Sequence, residues 1–278
     1  MKNLIGISGK MGSGKDTVGL ILKYLIVEKM RKEDNRSSLG EFNPNYVYNT
    51  YPEANYQIKK YADKLKDMVC ILLGCTREQL EDRDFKEKDL GEEWFAYKVY
   101  QHHCKEYKLF NSKKEAESFA FQFYGSDDIS GRITAVKRTP RLILQLLGTD
   151  CGRDIIHPNI WINALFDNYN LSTVIGSEGV IKEYPPNWII TDVRFPGEVK
   201  AIEDRGGIVI RVNRKYINTK LNNGINVKVE RGIMTGEDHL QLEKPHPSET
   251  ALDNHDFKYV IENNGSIEEL VETVKQLL

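Results

Sequence analysis

Short apolar runs alternate with stretches of helical periodicity along the chain. Leu4 to Ser8 is an apolar run that ends at Gly9, the pattern of a buried parallel strand. Val18, Leu22, Leu25, Ile26 and Met30 then recur at helical spacing, which predicts a helix from about Thr17. Arg31 to Asn45 is polar and reads as a loop. A strand is expected near Gln57 to Tyr61, and a helix after Asp63 that stops near Gly74. Thr76 with Gln79 makes a capping box that opens another helix. In "TPRLILQLLG", Thr139 is the cap, Pro140 takes the first helical position and Gly148 is the expected terminator. A further helix is expected over Pro158 to Phe166. "NWIITD" is a buried strand ending on Asp192; a helix from about Gly197 to Arg205 and the strand "IVIRV" follow. The chain closes as strand, turn and helix, with Ser266 and Glu269 as a second capping box.

Three stretches interrupt this alternation. Residues 82–137 turn charged and aromatic, with Trp94, Tyr97, Tyr100, Tyr107, Phe119 and Phe123, and read as a largely helical insertion. Ser172 to Pro186 reads as an exposed hairpin or loop. Residues 213–247 are polar with weak periodicity, a candidate lid. The expected class is α/β: a mostly parallel sheet with helices on both faces, in one domain over 1–278 that carries the insertion.

Composition narrows the function classes. The chain has 278 residues, with 39 basic against 41 acidic side chains, so no global field draws it to nucleic acid or an anionic membrane. Affinity for an anionic ligand must come from a local site. Cys70, Cys75, Cys104 and Cys151 lack the close paired spacing of a zinc site or disulfide framework, which suits a reducing cytoplasm. No stretch reaches the ~20 apolar residues of a membrane helix, and "MKNLIGISG" lacks the pattern of a signal peptide.

The chemistry concentrates at "GISGKMGSGKDTVG". Gly9 to Lys15 has the spacing G-x-x-x-x-G-K between a strand and a helix, the context of a phosphate-binding loop. Gly12 and Gly14 let the backbone approach closely around Ser13, so that successive N–H groups point at phosphate oxygens. Lys15 is placed to span the β- and γ-phosphates of ATP, and Thr17 to offer a hydroxyl near Mg2+. Asp16 is unexpected, because Ser or Thr usually follows the lysine. A carboxylate ~4 Å from a phosphate oxygen costs roughly 4 kcal/mol at an effective dielectric near 20. Either a cation such as magnesium lies between them, or Asp16 turns away and only compensates the helix dipole.

Asp192, at the carboxyl end of its strand, stands where ligands bind in open α/β folds, although a terminal Asp is often only a cap or turn residue. Arg141 and Gln145 lie four apart on one helix face, with Gly148 and Thr149 at its end. They read either as a phosphate clamp and a base-reading amide or as a solvated stripe. Trp161 reads as core, with one wall of a base pocket as the alternative.

Together these residues resemble the bacteriophage deoxynucleoside monophosphate kinases, a branch of the P-loop kinases. The resemblance runs in order through "SGKDT", "ADKLKD", "RLILQLLGTD", Trp161, "ITDVRFPGEVKAI", "SETALD" and "IENNGSIEEL". Phe85 to Lys137, Ser172 to Pro186 and Lys215 to His246 show little to match. The resemblance implies transfer of the ATP γ-phosphate to a deoxynucleoside 5′-monophosphate (dNMP). It implies a phosphate–magnesium site of Ser13, Lys15, Asp16 and Thr17, with Asp16 and Thr17 on the metal and Lys15, Asp16 and Arg141 in catalysis. Arg141, Gln145, Gly148, Thr149, Trp161 and Asp192, with Lys66 nearby, are implied around the acceptor nucleotide, and Arg211 and Arg214 near the lid. The implied partners are small nucleotides, without nucleic acid or membrane and with a homodimer left open; the implied location is the cytoplasm, the host's if a phage encodes the chain. Competing readings are a P-loop kinase for dephospho-coenzyme A or phosphomevalonate, a nucleotide-binding module without turnover, and a nucleic-acid-dependent ATPase.

Overall fold

Leu4–Ser8 forms strand β1, and all five of its residues are buried. In this computed structural model the described residues are 2–45, 56–101, 106–125, 132–170, 172–175, 181–215, 218–220, 226–228 and 247–277. By internal contacts the chain divides into two compact units: Met1–Tyr61 with Trp161–Leu278, and Ala62–Ile160.

After β1 come helix α1 (Lys15–Glu33) and strand β2 (Gln57–Lys59). The second unit then holds α2 (Asp63–Leu73), α3 (Arg77–Glu81), α4 (Arg83–Glu87), β3 (Ala96–Gln101), β4 (Glu106–Phe110), α5 (Lys113–Tyr124), β5 (Ile133–Val136) and α6 (Pro140–Gln145). The chain returns to the first unit through α7 (Ile160–Phe166), β6 (Ser172–Ile175), β7 (Ile181–Tyr184), β8 (Trp188–Val193), α8 (Pro196–Glu203) and β9 (Ile208–Asn213). It ends with β10 (Asn218–Lys220), β11 (Asn226–Lys228), α9 (Pro247–Thr250), β12 (Tyr259–Glu262) and α10 (Ile267–Lys275).

The first unit is built on a five-stranded sheet in the order β12-β9-β1-β8-β2. Every pairing in it is parallel, as expected for strands linked by helical crossovers. Side chains alternate across β1. Ile5 and Ile7 pack with Ile189, Ile210, Val212 and Ile261 beneath α1 and α10. Gly6 meets Val193, Val209 and Ile202 of α8 on the other face. Both faces are therefore covered, which is why these strands read as continuous apolar runs. Because the strands run the same way, the segments leaving β1, β8, β9 and β12 all emerge at one edge. That edge carries the phosphate loop.

The second unit corrects one expectation. Residues 82–137 do not form a largely helical insertion, because they hold the antiparallel sheet β4-β3-β5. Helix α5 packs on it through Ala116 and Ala120 against Val99, with Tyr97, Phe110, Phe119, Tyr124 and Ile133 around them. The overlooked signal is two-residue alternation in "AYKVYQ" and "EYKLF", with the aromatic and branched residues that strands favour.

Gly148 is also not a terminator. Helix α6 runs on into a π-helical stretch, Leu146–Ile156, and ends only at His157, in extended conformation. Pro158 follows, and proline disfavours a helical residue before it. Gly148 is buried there, and a Cβ on it would stand 2.7 Å from Leu65 Cδ2 of α2, so the absence of a side chain permits this close packing. The capping boxes at Thr76–Gln79 and Ser266–Glu269 both form, and Ser172 to Pro186 contains the hairpin β6–β7. Much of the candidate lid, including residues 229–246, lies outside the described residues. No helix among the described residues is long and apolar enough to cross a membrane.

The turn from β8 into α8 rests on a buried carboxylate. Glu198 is 1% exposed and accepts from Arg194 N–H at 2.7 Å and Phe195 N–H at 3.1 Å. Glu198→Ala leaves both donors without this partner and should cost about 3 kcal/mol, since hydrogen bonds to charged groups contribute ~1.5–3 kcal/mol each. Urea unfolding of both proteins checks this; a loss below about 1 kcal/mol would mean that water replaces the carboxylate.

Candidate active site

The loop Gly9 to Lys15 turns sharply between β1 and α1, helped by Gly12 at φ 74° and Gly14 at φ 93°. Ser13 N–H donates to Lys10 O at 3.1 Å, and Val18 N–H to Gly14 O at 2.9 Å, which closes the first turn of α1. Lys15 folds back over the loop, and its Nζ donates to Gly9 O and Lys10 O at 2.7 Å each. Thr17 stands half-buried in the first helical turn. Ser13 Oγ is buried and, among the described residues, has no hydrogen-bond partner. A buried hydroxyl without a partner costs free energy. One at the floor of an anion-binding loop suits a phosphate oxygen, so this loop fits the nucleotide that its sequence implies.

Asp16 has a counter-charge within the folded chain. Its Oδ1 accepts from the Thr191 hydroxyl at 2.6 Å and from Lys60 Nζ at 2.8 Å, while its side chain stays 65% exposed. Burial acts to raise its pKa. The hydrogen bonds from Lys60 and Thr191, with the charges of Lys60 and Lys15, outweigh that and hold the carboxyl below its usual range. Asp192 accepts from Tyr61 N–H at 2.8 Å, which anchors the chain just beyond β2.

A ring of charge surrounds the loop. Arg194 Nη1 lies 2.5 Å from Glu249 Oε1, and Arg211 donates to Ser8 Oγ at 3.0 Å. Lys10 and Arg211 share Asp253, at 3.0 and 3.6 Å. Lys10, Arg194, Arg211 and Glu249 line a small pocket with Ser8 and Gly9. Lys15 is held down to about 8, first by burial and then by the Arg194 guanidinium, against the opposing pull of Glu249, Asp16 and Asp192.

The expected site residues therefore fall into two groups. Gly12, Ser13, Gly14, Lys15, Asp16, Thr17 and Asp192 gather at the sheet edge of the first unit. Trp161 belongs to that unit too, but is buried at 4% exposure. Lys66, Arg141, Gln145, Gly148 and Thr149 belong to the second unit. There Lys66 pairs with Glu81 at 2.6 Å, and Arg141 pairs with Glu87.

Sequence reasoning missed Lys60, Thr191, Arg194 and the acids Glu249 and Asp253. Three of these had a signal: Arg194 stands two places after Asp192, and both acids sit in the "SETALD" motif, which was matched without a role.

A family model for deoxynucleotide monophosphate kinase matches residues 3–274. The deoxynucleoside-5′-monophosphate kinase of Escherichia phage T5 is 25% identical over 265 residues, covering 91% of this chain and 86% of that protein.

The depressed Lys15 makes nucleotide affinity depend on pH. In the free protein Lys15 loses its charge as pH rises through about 8. ATP affinity should then fall as pH climbs from 8 to 9.5, by at most about tenfold per pH unit. Lys15→Arg keeps the charge and should flatten this dependence. Calorimetric titrations of both proteins check it, and parallel pH profiles would remove Lys15 as the cause. The sign for folding is opposite. Between about 8 and 10.5 the unfolded chain holds the proton that the folded one has lost, so this group adds stability as pH rises.

Proposed function

The chain belongs to the deoxynucleotide monophosphate kinase family, and on that premise we propose how its residues divide the work of transferring the ATP γ-phosphate to a dNMP. An oxygen of the acceptor's α-phosphate attacks the γ-phosphorus, the bond to the β-phosphate oxygen breaks, and dNDP and ADP leave. Such a transfer needs positioning and charge neutralisation more than covalent help from the protein. The observation that carries the reading is the phosphate loop at the carboxyl edge of a parallel sheet, with Lys15, Asp16 and Asp192 gathered there.

In this reading the loop's N–H groups and Ser13 Oγ hold the ATP phosphates, and Lys15 leaves its two carbonyl partners to neutralise charge on the transferring group. Magnesium, if bound with ATP, would supply positive charge that offsets the charge of the phosphates. Asp16 and Thr17 are the residues assigned to it. Both contacts described for Asp16 fall on Oδ1. One or two carboxylates together with phosphates suffice for magnesium. Lys66, Arg141, Gln145, Gly148, Thr149, Trp161 and Asp192 are assigned to the acceptor. Arg141 exchanges Glu87 for the acceptor's α-phosphate, which a guanidinium can grip through two parallel hydrogen bonds.

A coupled ADP-release assay across the four common dNMPs and their ribose counterparts tests the function, with dephospho-coenzyme A and phosphomevalonate as controls. Release that depends on a dNMP is expected; release only with a control compound would replace the reading. Arg141→Ala should raise the KM for dNMP at least about tenfold and leave ATP binding unchanged, as for a lost charge-assisted contact. Equal losses for both substrates would place Arg141 elsewhere.

Asp16→Asn separates the metal assignment from simple dipole compensation. The amide keeps the shape and removes the charge, so ATP alone should still bind. The magnesium dependence of turnover should move to higher concentration, with a lower plateau. If Asp16 serves only the helix start, normalised magnesium curves coincide and stability changes by no more than ~1 kcal/mol.

A further inference from the structure

Asn263 has no part in the assignments above. It follows β12 directly, and its N–H donates to Asn213 O at 2.8 Å, at the end of the ladder between β12 and β9. Its side chain is buried, and Nδ2 donates to Ser13 O at 2.8 Å across 250 positions of sequence. A carbonyl oxygen can only accept, so the amide nitrogen must be the atom facing it.

The Ser13 carbonyl shares a peptide unit with the Gly14 N–H. That unit is planar and trans, so its C=O and N–H point in opposite directions. Tying the carbonyl to Asn263 therefore turns the Gly14 N–H away from Asn263. Gly14 itself, at φ 93° and ψ 22°, has no Cβ to oppose rotation of the unit. A flipped unit would present a carbonyl dipole where the loop must present a donor. The position cannot be stiffened by a side chain either, since a Cβ on Gly14 would stand 2.4 Å from Asn263 Nδ2. The restraint has to come from outside the loop.

We propose that Asn263 is a positioning residue of the phosphate loop, locking the Ser13–Gly14 peptide so that the Gly14 N–H faces the nucleotide phosphates. Asn263 touches no substrate and acts through the backbone. This rests on the phosphate-binding reading of the loop. It requires an effect on ATP that the acceptor does not share.

The test is Asn263→Ala, with ATP affinity measured by calorimetry without acceptor, and KM for dNMP measured at saturating ATP. ATP affinity should fall about tenfold, the scale of one hydrogen bond, while the dNMP KM stays within about twofold. Unchanged ATP affinity overturns the proposal. Parallel losses for both substrates with a large drop in melting temperature also overturn it, since that is the mark of a merely structural residue. Asn263→Asp carries the test if the alanine variant does not fold. It keeps the shape but faces the Ser13 carbonyl with an acceptor. Relative to wild type at the same pH, its ATP affinity should be low at pH 8 and recover towards pH 5, where the carboxyl gains a proton to donate. No recovery overturns the proposal. A wild type that binds ATP but phosphorylates no dNMP would sink the proposed function and leave this inference standing.

Discussion

The parallel alignment of β1 with β8 on one side and β9 on the other is the constraint from which the site follows. Parallel strands place all their carboxyl ends at one edge. The residues leaving β1, β8, β9 and β12 therefore become neighbours despite separations of up to 250 positions. The phosphate loop, Asp192, Arg194, Arg211 and Asn263 meet there because the sheet leaves them no other edge. The core that enforces the alignment is apolar on both faces, and Ile5, Ile7, Ile189, Ile190 and Ile210 are at most 1% exposed. Slipping β1 by one residue would exchange the sets facing α1 and α8, so the same burial that stabilises the sheet also sets its register.

Charge at that edge is arranged for exchange. Lys15 rests on two loop carbonyls, and Arg194, Arg211 and Lys10 rest on Glu249 and Asp253. These partners keep the cations in place while no anion is bound. A carbonyl partner is a modest hydrogen bond, and a half-exposed ion pair contributes only ~0–1 kcal/mol. A polyphosphate offers several full charges and can displace such partners. The cost of assembling like charges around the loop shows in Lys15, whose affinity for its proton is lowered by burial and by Arg194 together.

How much of this was legible in the sequence differs from one element to the next. β1, α1, β8 and the two capping boxes were, because each depends on residues adjacent in the chain. The phosphate loop was legible for the same reason, with strand, glycines, lysine and helix within Leu4 to Glu33. The sheet in the second unit was passed over because charged and aromatic composition masked a two-residue alternation. Gly148 misled because a glycine at a helix end and a glycine at a tight helix contact look alike until the partner, Leu65, is known. Lys60, Thr191 and Asn263 were beyond reach. Their roles are set by which strand lies beside which, and the order β12-β9-β1-β8-β2 is not the order of the chain.

Asp16 shows what that hidden information changes. From the sequence, a carboxylate after the loop lysine has two explanations, a metal or the helix dipole, since both act within one turn of Asp16. The neighbouring strands supply a third interaction, Lys60 beyond β2 and Thr191 on β8, both on Oδ1. Lys60 already balances the negative charge, so a folded chain without nucleotide needs no cation there. The metal assignment then cannot rest on charge balance and must rest on what Asp16 does once phosphate arrives. A polyphosphate beside Lys15 brings new negative charge within reach of Asp16, and repulsion rises by roughly 4 kcal/mol for each unit pair at ~4 Å. Lys60, already engaged, offsets only part of that. On the proposed assignment, a divalent cation between Asp16 and the phosphates would remove the remainder. Lys60 and Thr191, both on Oδ1, would then hold the carboxylate in one orientation beforehand, so that binding a cation would not have to order it.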